Sequence, residues 1–110
     1  MTVVNLTPHP VVVQLESGEV ITFQASGQVA RVNLTQVPSG DVNGIPVVKT
    51  TYGTVDGLPD PQPGTVFIVS GMVMSALRGT RQDVIQPDTG PDGVIRDVTG
   101  RIVAVKRFQQ

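Results

Sequence analysis

The chain has 110 residues, a formal net charge of −1, one histidine, and neither cysteine nor tryptophan. That length supports a single domain, 1–110. The near-zero charge argues against a nucleic-acid partner and against electrostatic attachment to a membrane. No apolar run approaches the roughly 18 residues that span a bilayer. The missing cysteines fit a reducing compartment, so we expect a cytoplasmic protein.

The chain has few residues of the types that usually catalyse reactions. His9 is the only histidine, and there is no cysteine nucleophile for it to activate. A transition-metal site would need two or three histidine or cysteine ligands. We therefore predict a protein that is not an enzyme, with no catalytic residues, no metal and no cofactor.

Patterning in the first half of the chain favours strands. Aromatic residues are 4% of the chain, so a core of β-branched and other aliphatic residues is expected, which suits pleated sheets. The pattern predicts a hairpin from residues 11–15 and 20–23. It predicts a third strand, with one face exposed to solvent, over residues 28–34. Asn43-Gly44 is a strong turn signal, followed by a strand over 45–55.

A loop, a strand and one helix follow. Residues 56–64 hold three prolines and two glycines, which predicts a stiff surface loop. Residues 66–69 read as a buried strand. Ser70 suits an N-cap and Gly79 a C′ position, which predicts one short helix over 71–78.

The last third of the chain is again punctuated by turns. Residues 83–86 form a short strand closed by Pro87, and 88–93 a loop. Residues 94–97 and 101–108 form a final hairpin. Strands spaced by roughly ten residues indicate a mainly β fold, a single small barrel or sandwich of about six to eight strands. We expect the helix to lie across an open end or edge.

Two candidate binding positions lie in the first loop and at the helix start. His9, held between two prolines, presents its ring to a ligand or bonds a loop carbonyl instead. Asn5 and Thr7 bond either a ligand or the local backbone in a turn. Ser70 stands where free helix amides gather and either binds an anion or caps the helix.

Further candidates lie later in the chain. The Arg81 guanidinium suits a phosphate or carboxylate; alternatively it pairs with Asp83 or Asp97 on the surface. Tyr52, the only tyrosine, stacks on a base or fills a rim or core position. The predicted ligand-binding set is Asn5, His9, Tyr52, Ser70, Arg81 and Asp83.

Several short motifs are spread over nearly the whole chain: Asn5-Leu6-Thr7-Pro8-His9, Ile45-Pro46-Val47-Val48, Tyr52-Gly53, Gly57-Leu58-Pro59, Gly64-Thr65, Ile68-Val69-Ser70, Arg81-x-Asp83 with Pro87, and Gly100-Arg101-Ile102-Val103. In these motifs the chain resembles a family of small uncharacterised proteins from bacteriophages, prophages and high-GC bacteria. The loop 88–93 is longer than in the family pattern. The resemblance implies a protein of the bacterial host cytoplasm and no particular activity.

Two functions are compatible with these features. In the first, a non-catalytic phage-type protein binds and sequesters a small nucleotide-derived molecule and so absorbs a bacterial immune signal; polar groups from several loops would suffice. In the second, the chain is a phage structural or protein–protein interaction module that uses a β edge or an oligomer interface. Exposed edges in a small β domain also predict a homo-oligomer.

Overall fold

Strands dominate the computed structural model, which describes residues 1–110. In chain order the elements are β1 (Thr2–Asn5), β2 (Val11–Gln14), β3 (Val20–Phe23), β4 (Arg31–Val42), β5 (Ile45–Asp56), β6 (Thr65–Ile68), α1 (Gly71–Leu77), β7 (Val84–Pro87), β8 (Val94–Arg96), β9 (Ile102–Val105) and β10 (Phe108–Gln109). The mainly β class with one short helix is confirmed.

The strands form two four-stranded sheets and one separate hairpin. The first sheet has the order β1-β6-β7-β10, and the second has the order β3-β2-β9-β8. β4 and β5 pair only with each other; we call this hairpin, residues 31–56, the arm. No sheet closes on itself, so the fold is sandwich-like and not a barrel.

The core lies on both faces of β6. Because side chains alternate along a strand, Phe67 and Val69 face one side and Ile68 faces the other. Two buried clusters result. The first comprises Leu6, Ala30, Phe67, Val69, Val73 and Val84. The second, between the two sheets, comprises Val11, Val13, Ile68 and Val105.

The helix covers the first cluster and begins as predicted. The Ser70 hydroxyl accepts a hydrogen bond from the Val73 amide at 3.3 Å. The helix ends at Arg78, which adopts a left-handed conformation, and Gly79 follows with φ 73°. It packs on β7 and on both strands of the arm, where Val32 and Val55 contact the first cluster. The helix therefore joins the base of the arm to the rest of the molecule.

The arm is much longer than the sequence pattern suggests. The strand predicted over 28–34 runs on as β4 to Val42, through Pro38. Asn43 and Gly44 have φ 50° and 82°, as a type I′ turn requires, so the predicted turn is confirmed. Proline is tolerated because each arm strand has one open edge, where a missing donor costs no ladder bond.

Ten strands form where about six to eight were predicted. β1 was not predicted, since its pairing with β6 is parallel and joins residues about 60 positions apart, beyond any local signal. The final strand, predicted to run to residue 108, stops at Val105. There the Lys106 amide donates to Gly93, and the chain crosses to the first sheet, where β10 pairs with β7.

Candidate functional site

Asn5 is a buried polar residue, 2% exposed, that organises the loop after β1. Its side-chain amide donates to the carbonyl oxygens of His9, at 2.8 Å, and Phe23, at 2.9 Å. Its Oδ1 accepts from the Thr7 amide at 2.9 Å and lies 2.7 Å from the Thr7 hydroxyl. All the bonding capacity of this side chain is used within the protein, so Asn5 and Thr7 form the local turn.

His9 lies at the exposed tip of the same loop. Its carbonyl accepts from Asn5, and the Thr7 hydroxyl lies 3.0 Å from that oxygen. The two neighbouring prolines have no amide hydrogen, so this short loop carries few backbone donors to satisfy. The imidazole ring is presented to solvent on a loop that Asn5 holds in place.

Arg81 and Asp83 form a two-pronged ion pair. Arg81 Nε and Nη2 each donate to one Asp83 oxygen at 2.8 Å. The hydrogen bond from Arg81 holds the pKa of the Asp83 carboxyl below its usual range, and the same bond raises the pKa of Arg81. Arg81 Nη2 also donates to the Pro59 carbonyl at 2.9 Å. The pair thus fastens the proline-rich loop after the arm.

A second contact fastens the start of that loop. The Gln28 side chain donates to the Gly57 carbonyl at 2.9 Å. Gly57 has φ 80°, and a Cβ there would lie 2.5 Å from the Val29 carbonyl oxygen, so only glycine fits. The base of the arm is therefore fixed on both sides, by Gln28 and by Arg81.

The six predicted ligand-binding residues lie in three separate places. Asn5 is the last residue of β1, and His9 and Ser70 follow the carboxyl ends of the parallel strands β1 and β6. Asp83 comes directly before β7, and the first residue of β7, Val84, lies opposite Phe67. The ion pair of Arg81 and Asp83 therefore lies toward the amino end of β6. Tyr52 lies on the arm, opposite Leu34. None of the six lines either surface cavity.

The larger cavity, about 510 Å³, lies between the β2–β3 turn and the second sheet. Its lining residues are Gln14, Leu15, Glu16, Ile95, Lys106 and Arg107. Arg107 already donates to Asp88 at 2.7 Å, which lowers the pKa of that carboxyl. The lining therefore carries one unpaired cation, Lys106, and one carboxylate, Glu16.

The smaller cavity, about 170 Å³, is an apolar groove between β2 and β9. These strands run parallel but pair at one position only, Val13 with Val105. The groove is lined by Pro10, Val11, Val12, Pro87, Ile102, Val103, Ala104 and Val105. Most of these are the positions that a continued β2–β9 ladder would have joined.

The arm carries the largest group of exposed apolar side chains. Seven of them are between 38% and 66% exposed: Leu34, Val37, Val42, Ile45, Val47, Val48 and Tyr52. Residues opposite each other in an antiparallel pair share a face. Leu34 with Tyr52, then Pro38 with Val48, thus extend the face on which Val32 and Val55 meet the core.

Sequence reasoning missed both the groove and the length of the arm. Asn43-Gly44 between Val42 and Ile45 is a hairpin signal that the prediction did use. The apolar residues before the turn were not assigned to a strand, because Pro38 and Gly40 interrupt them. The groove has no local signal, since β2 and β9 are about 90 residues apart in the chain.

No group of three or more histidine, cysteine, aspartate or glutamate side chains is placed to hold a metal ion. The one helix, with seven residues, is too short to cross a membrane.

No protein-family model matches this chain, and no curated protein or solved structure shows a significant similarity to it. The proposals below therefore rest on the geometry and chemistry of this chain.

Proposed function

We propose that the protein is a non-catalytic interaction module that binds a protein partner through its arm. The observation that carries this proposal is the arm itself, two twelve-residue strands that pair only with each other. All but two of their residues, Val32 and Val55, are exposed.

An isolated two-stranded hairpin is marginally stable in water, and three or more strands or a packed face are needed for independent stability. The arm has a packed face only at its base. Beyond Leu34 and Tyr52 both faces and both edges are open, with apolar side chains exposed. Long, apolar, open edges are surfaces to which other chains add strands. A partner that covers the arm would supply the packed face or the third strand that the arm lacks.

Site-specific photocrosslinking tests this proposal. Val48, 51% exposed on the arm, is replaced by p-benzoylphenylalanine, and Val98, fully exposed in the β8–β9 turn, is replaced as the matched control. After irradiation in bacterial cells, the arm probe is expected to give discrete protein adducts that the Val98 probe does not give. No adduct from the arm, or the same adducts from both probes, would contradict the proposal.

We assign this activity to the bacterial cytoplasm. The chain has no cysteine and therefore no disulfide that a reducing environment would break. The resemblance to phage and prophage proteins supports the same compartment. Fractionation of expressing cells, with the protein expected in the cytosolic fraction, is the check.

A second candidate function is sequestration of a small nucleotide-derived anion, as the phage-like motifs suggest. The observation in its favour is the larger cavity, whose volume of about 510 Å³ suits a small ligand. Lys106 is its unpaired cation and would contact a phosphate, with Gln14 as a hydrogen-bonding neighbour. The ligand would then bind beside β9 and away from the six residues predicted from the sequence.

Calorimetry with ADP-ribose and with a cyclic dinucleotide tests this second candidate. Lys106→Ala removes the cation of the cavity, and Lys49→Ala removes the only other lysine, on the arm. Binding that is weakened at least tenfold by the first change and unaltered by the second is expected. No heat of binding with either compound, or equal effects of both changes, would argue against a ligand in this cavity.

A further inference from the structure

The molecule exposes more surface than a folded monomer of its mass. Its accessible surface is 7412 Å², whereas a compact monomer of 11.6 kDa exposes about 5,800 Å². The radius of gyration is 16.5 Å, against about 13 Å for a compact domain of this length. The excess of about 1,600 Å² lies within the area that each subunit buries in an obligate oligomer, about 1,000–2,500 Å².

The excess comes with two unpartnered apolar surfaces on the same chain. One is the outer part of the arm, where Val42 and Ile45, at the turn, are 60% and 66% exposed. The other is the groove between β2 and β9, where Ile102 and Val103 are 46% and 49% exposed. The first surface projects and the second is concave.

The two surfaces also match in charge. No charged residue lines the groove. Between Val32 and Val55 the arm carries one anion, Asp41, and one cation, Lys49, which cancel. Joining two such surfaces buries apolar area without burying an unpaired charge. Over its whole length the arm has two cations, Arg31 and Lys49, and two anions, Asp41 and Asp56, so it has no charge complementarity to nucleic acid or to an anionic membrane.

The backbone of the groove offers a second form of recognition. β2 and β9 pair only at Val13 and Val105, so the residues before these two have no ladder partner across the groove. An extended strand from another molecule can bond to such an edge. The strands of the arm are extended and have open edges of the same kind.

We infer that the partner is a second copy of this chain, and that the outer arm of one copy docks in the β2–β9 groove of the next. This inference rests on the proposed role of the arm in protein binding. Since the arm and the groove are different surfaces, the contact is head-to-tail and repeats around a ring or along a filament.

The test is a measurement of molar mass by light scattering behind gel filtration. The wild-type protein is expected at a multiple of 11.6 kDa at high concentration. Ile45→Asp disables the arm and Val103→Asp disables the groove, so each variant is expected at the monomer mass. Val98→Asp, outside both surfaces, should keep the wild-type mass.

Mixing the two disabled variants gives the sharpest result. In the mixture, the intact arm of Val103→Asp meets the intact groove of Ile45→Asp, and only one contact per pair can form. A one-to-one dimer is therefore expected, twice 11.6 kDa and no larger. If the mixture stays monomeric, the head-to-tail contact is wrong. Val42→Asp and Ile102→Asp replace either variant if circular dichroism shows that it has not folded.

The crosslinking experiment separates failure of this inference from failure of the proposed function. A wild-type protein that is monomeric at all concentrations, with arm adducts to a different protein, overturns the second copy and keeps the arm as a binding element. A monomer without arm adducts overturns both.

Discussion

The central strand β6 and the arm strand β4 show how differently this chain treats its strands. β6 has four residues, neighbours on both edges, and the buried side chains Phe67 and Ile68 on opposite faces. β4 has twelve residues, a neighbour on one edge, and no buried side chain. β6 consists of residues that favour strands, whereas β4 also contains Asn33, Pro38, Gly40 and Asp41, which are uncommon in strands. The difference in burial follows the number of neighbours, since β4 has one and β6 has two, and the faces and outer edges of the arm remain uncovered.

The comparison predicts its largest effect in the core. Phe67→Ala should lower the free energy of unfolding by about 4 kcal/mol, because it removes a large side chain that is 2% exposed and leaves a cavity. Urea denaturation measures this. A loss below about 0.5 kcal/mol, the size of an ordinary surface change, would mean that the first cluster does not hold the fold.

The next largest effect is expected at Asn5. Asn5→Ala leaves the carbonyls of His9 and Phe23 and the Thr7 amide without their partner, which should cost about 3 kcal/mol. Thr7→Val, which removes one hydroxyl from the same loop, should cost about 1 kcal/mol. Equal losses in the two variants would show that Asn5 is not the organising residue.

A smaller effect is expected at Asp83 and depends on pH. Pairing with Arg81 lowers the pKa of Asp83 in the folded state from its ordinary 3.8. A lowered pKa contributes stability above the unfolded value, and this contribution is lost as the pH falls through the folded value. Asp83→Asn should therefore cost about 1 kcal/mol at neutral pH, the upper end of the range for surface ion pairs, because both side chains are partly buried, 18% and 19% exposed.

The acid dependence supplies the control for that prediction. Asp88 and Asp97 also have lowered pKa values, Asp88 from its hydrogen bond with Arg107 and Asp97 from its hydrogen bond with Thr99. The wild type should thus lose stability in acid through three carboxyls, and Asp83→Asn through two. Urea denaturation at neutral pH and below about pH 4 compares them. If the difference in free energy of unfolding between the wild type and Asp83→Asn grew in acid, the pairing of Asp83 with Arg81 could not be the cause of that difference.

The smallest effect is expected on the arm. Val48→Ala should change the free energy of unfolding of the dilute protein by less than about 0.5 kcal/mol, since Val48 is half exposed and touches no buried cluster. Denaturation at low protein concentration is the measurement. A loss comparable to that of Phe67→Ala would mean that the arm is part of the cooperative core.

Much of the fold could be predicted from local patterns. The β2–β3 hairpin, the helix with Ser70 as its cap, and the Asn43-Gly44 turn follow from residues near one another in the chain. Long-range pairing could not be predicted in this way. The β1–β6 ladder and the single β2–β9 pairing depend on segments far apart in sequence, and the second decides where the groove lies.

The candidate site was harder to predict because a polar side chain forms the same hydrogen bonds whether it holds the fold together or binds a ligand. Asn5 and Arg81 were chosen as ligand-binding residues for hydrogen-bonding capacity that the protein itself uses. Whether Val37 or Val48 is covered depends on whether another element packs against the arm. No third strand pairs with β4 or β5, and this follows from the topology of the whole chain. Only the structure shows which apolar residues remain exposed.

Hydrogen exchange of the dilute protein tests the central claim, that the arm is incomplete without a partner. Amides of the outer arm, residues 34–53, should exchange far faster than those of β6, because no packed face or third strand protects them. Their protection should rise once the partner binds, while that of β6 stays unchanged. Arm amides as slow as those of β6 in the dilute monomer would contradict the account, since the arm would then be stable alone.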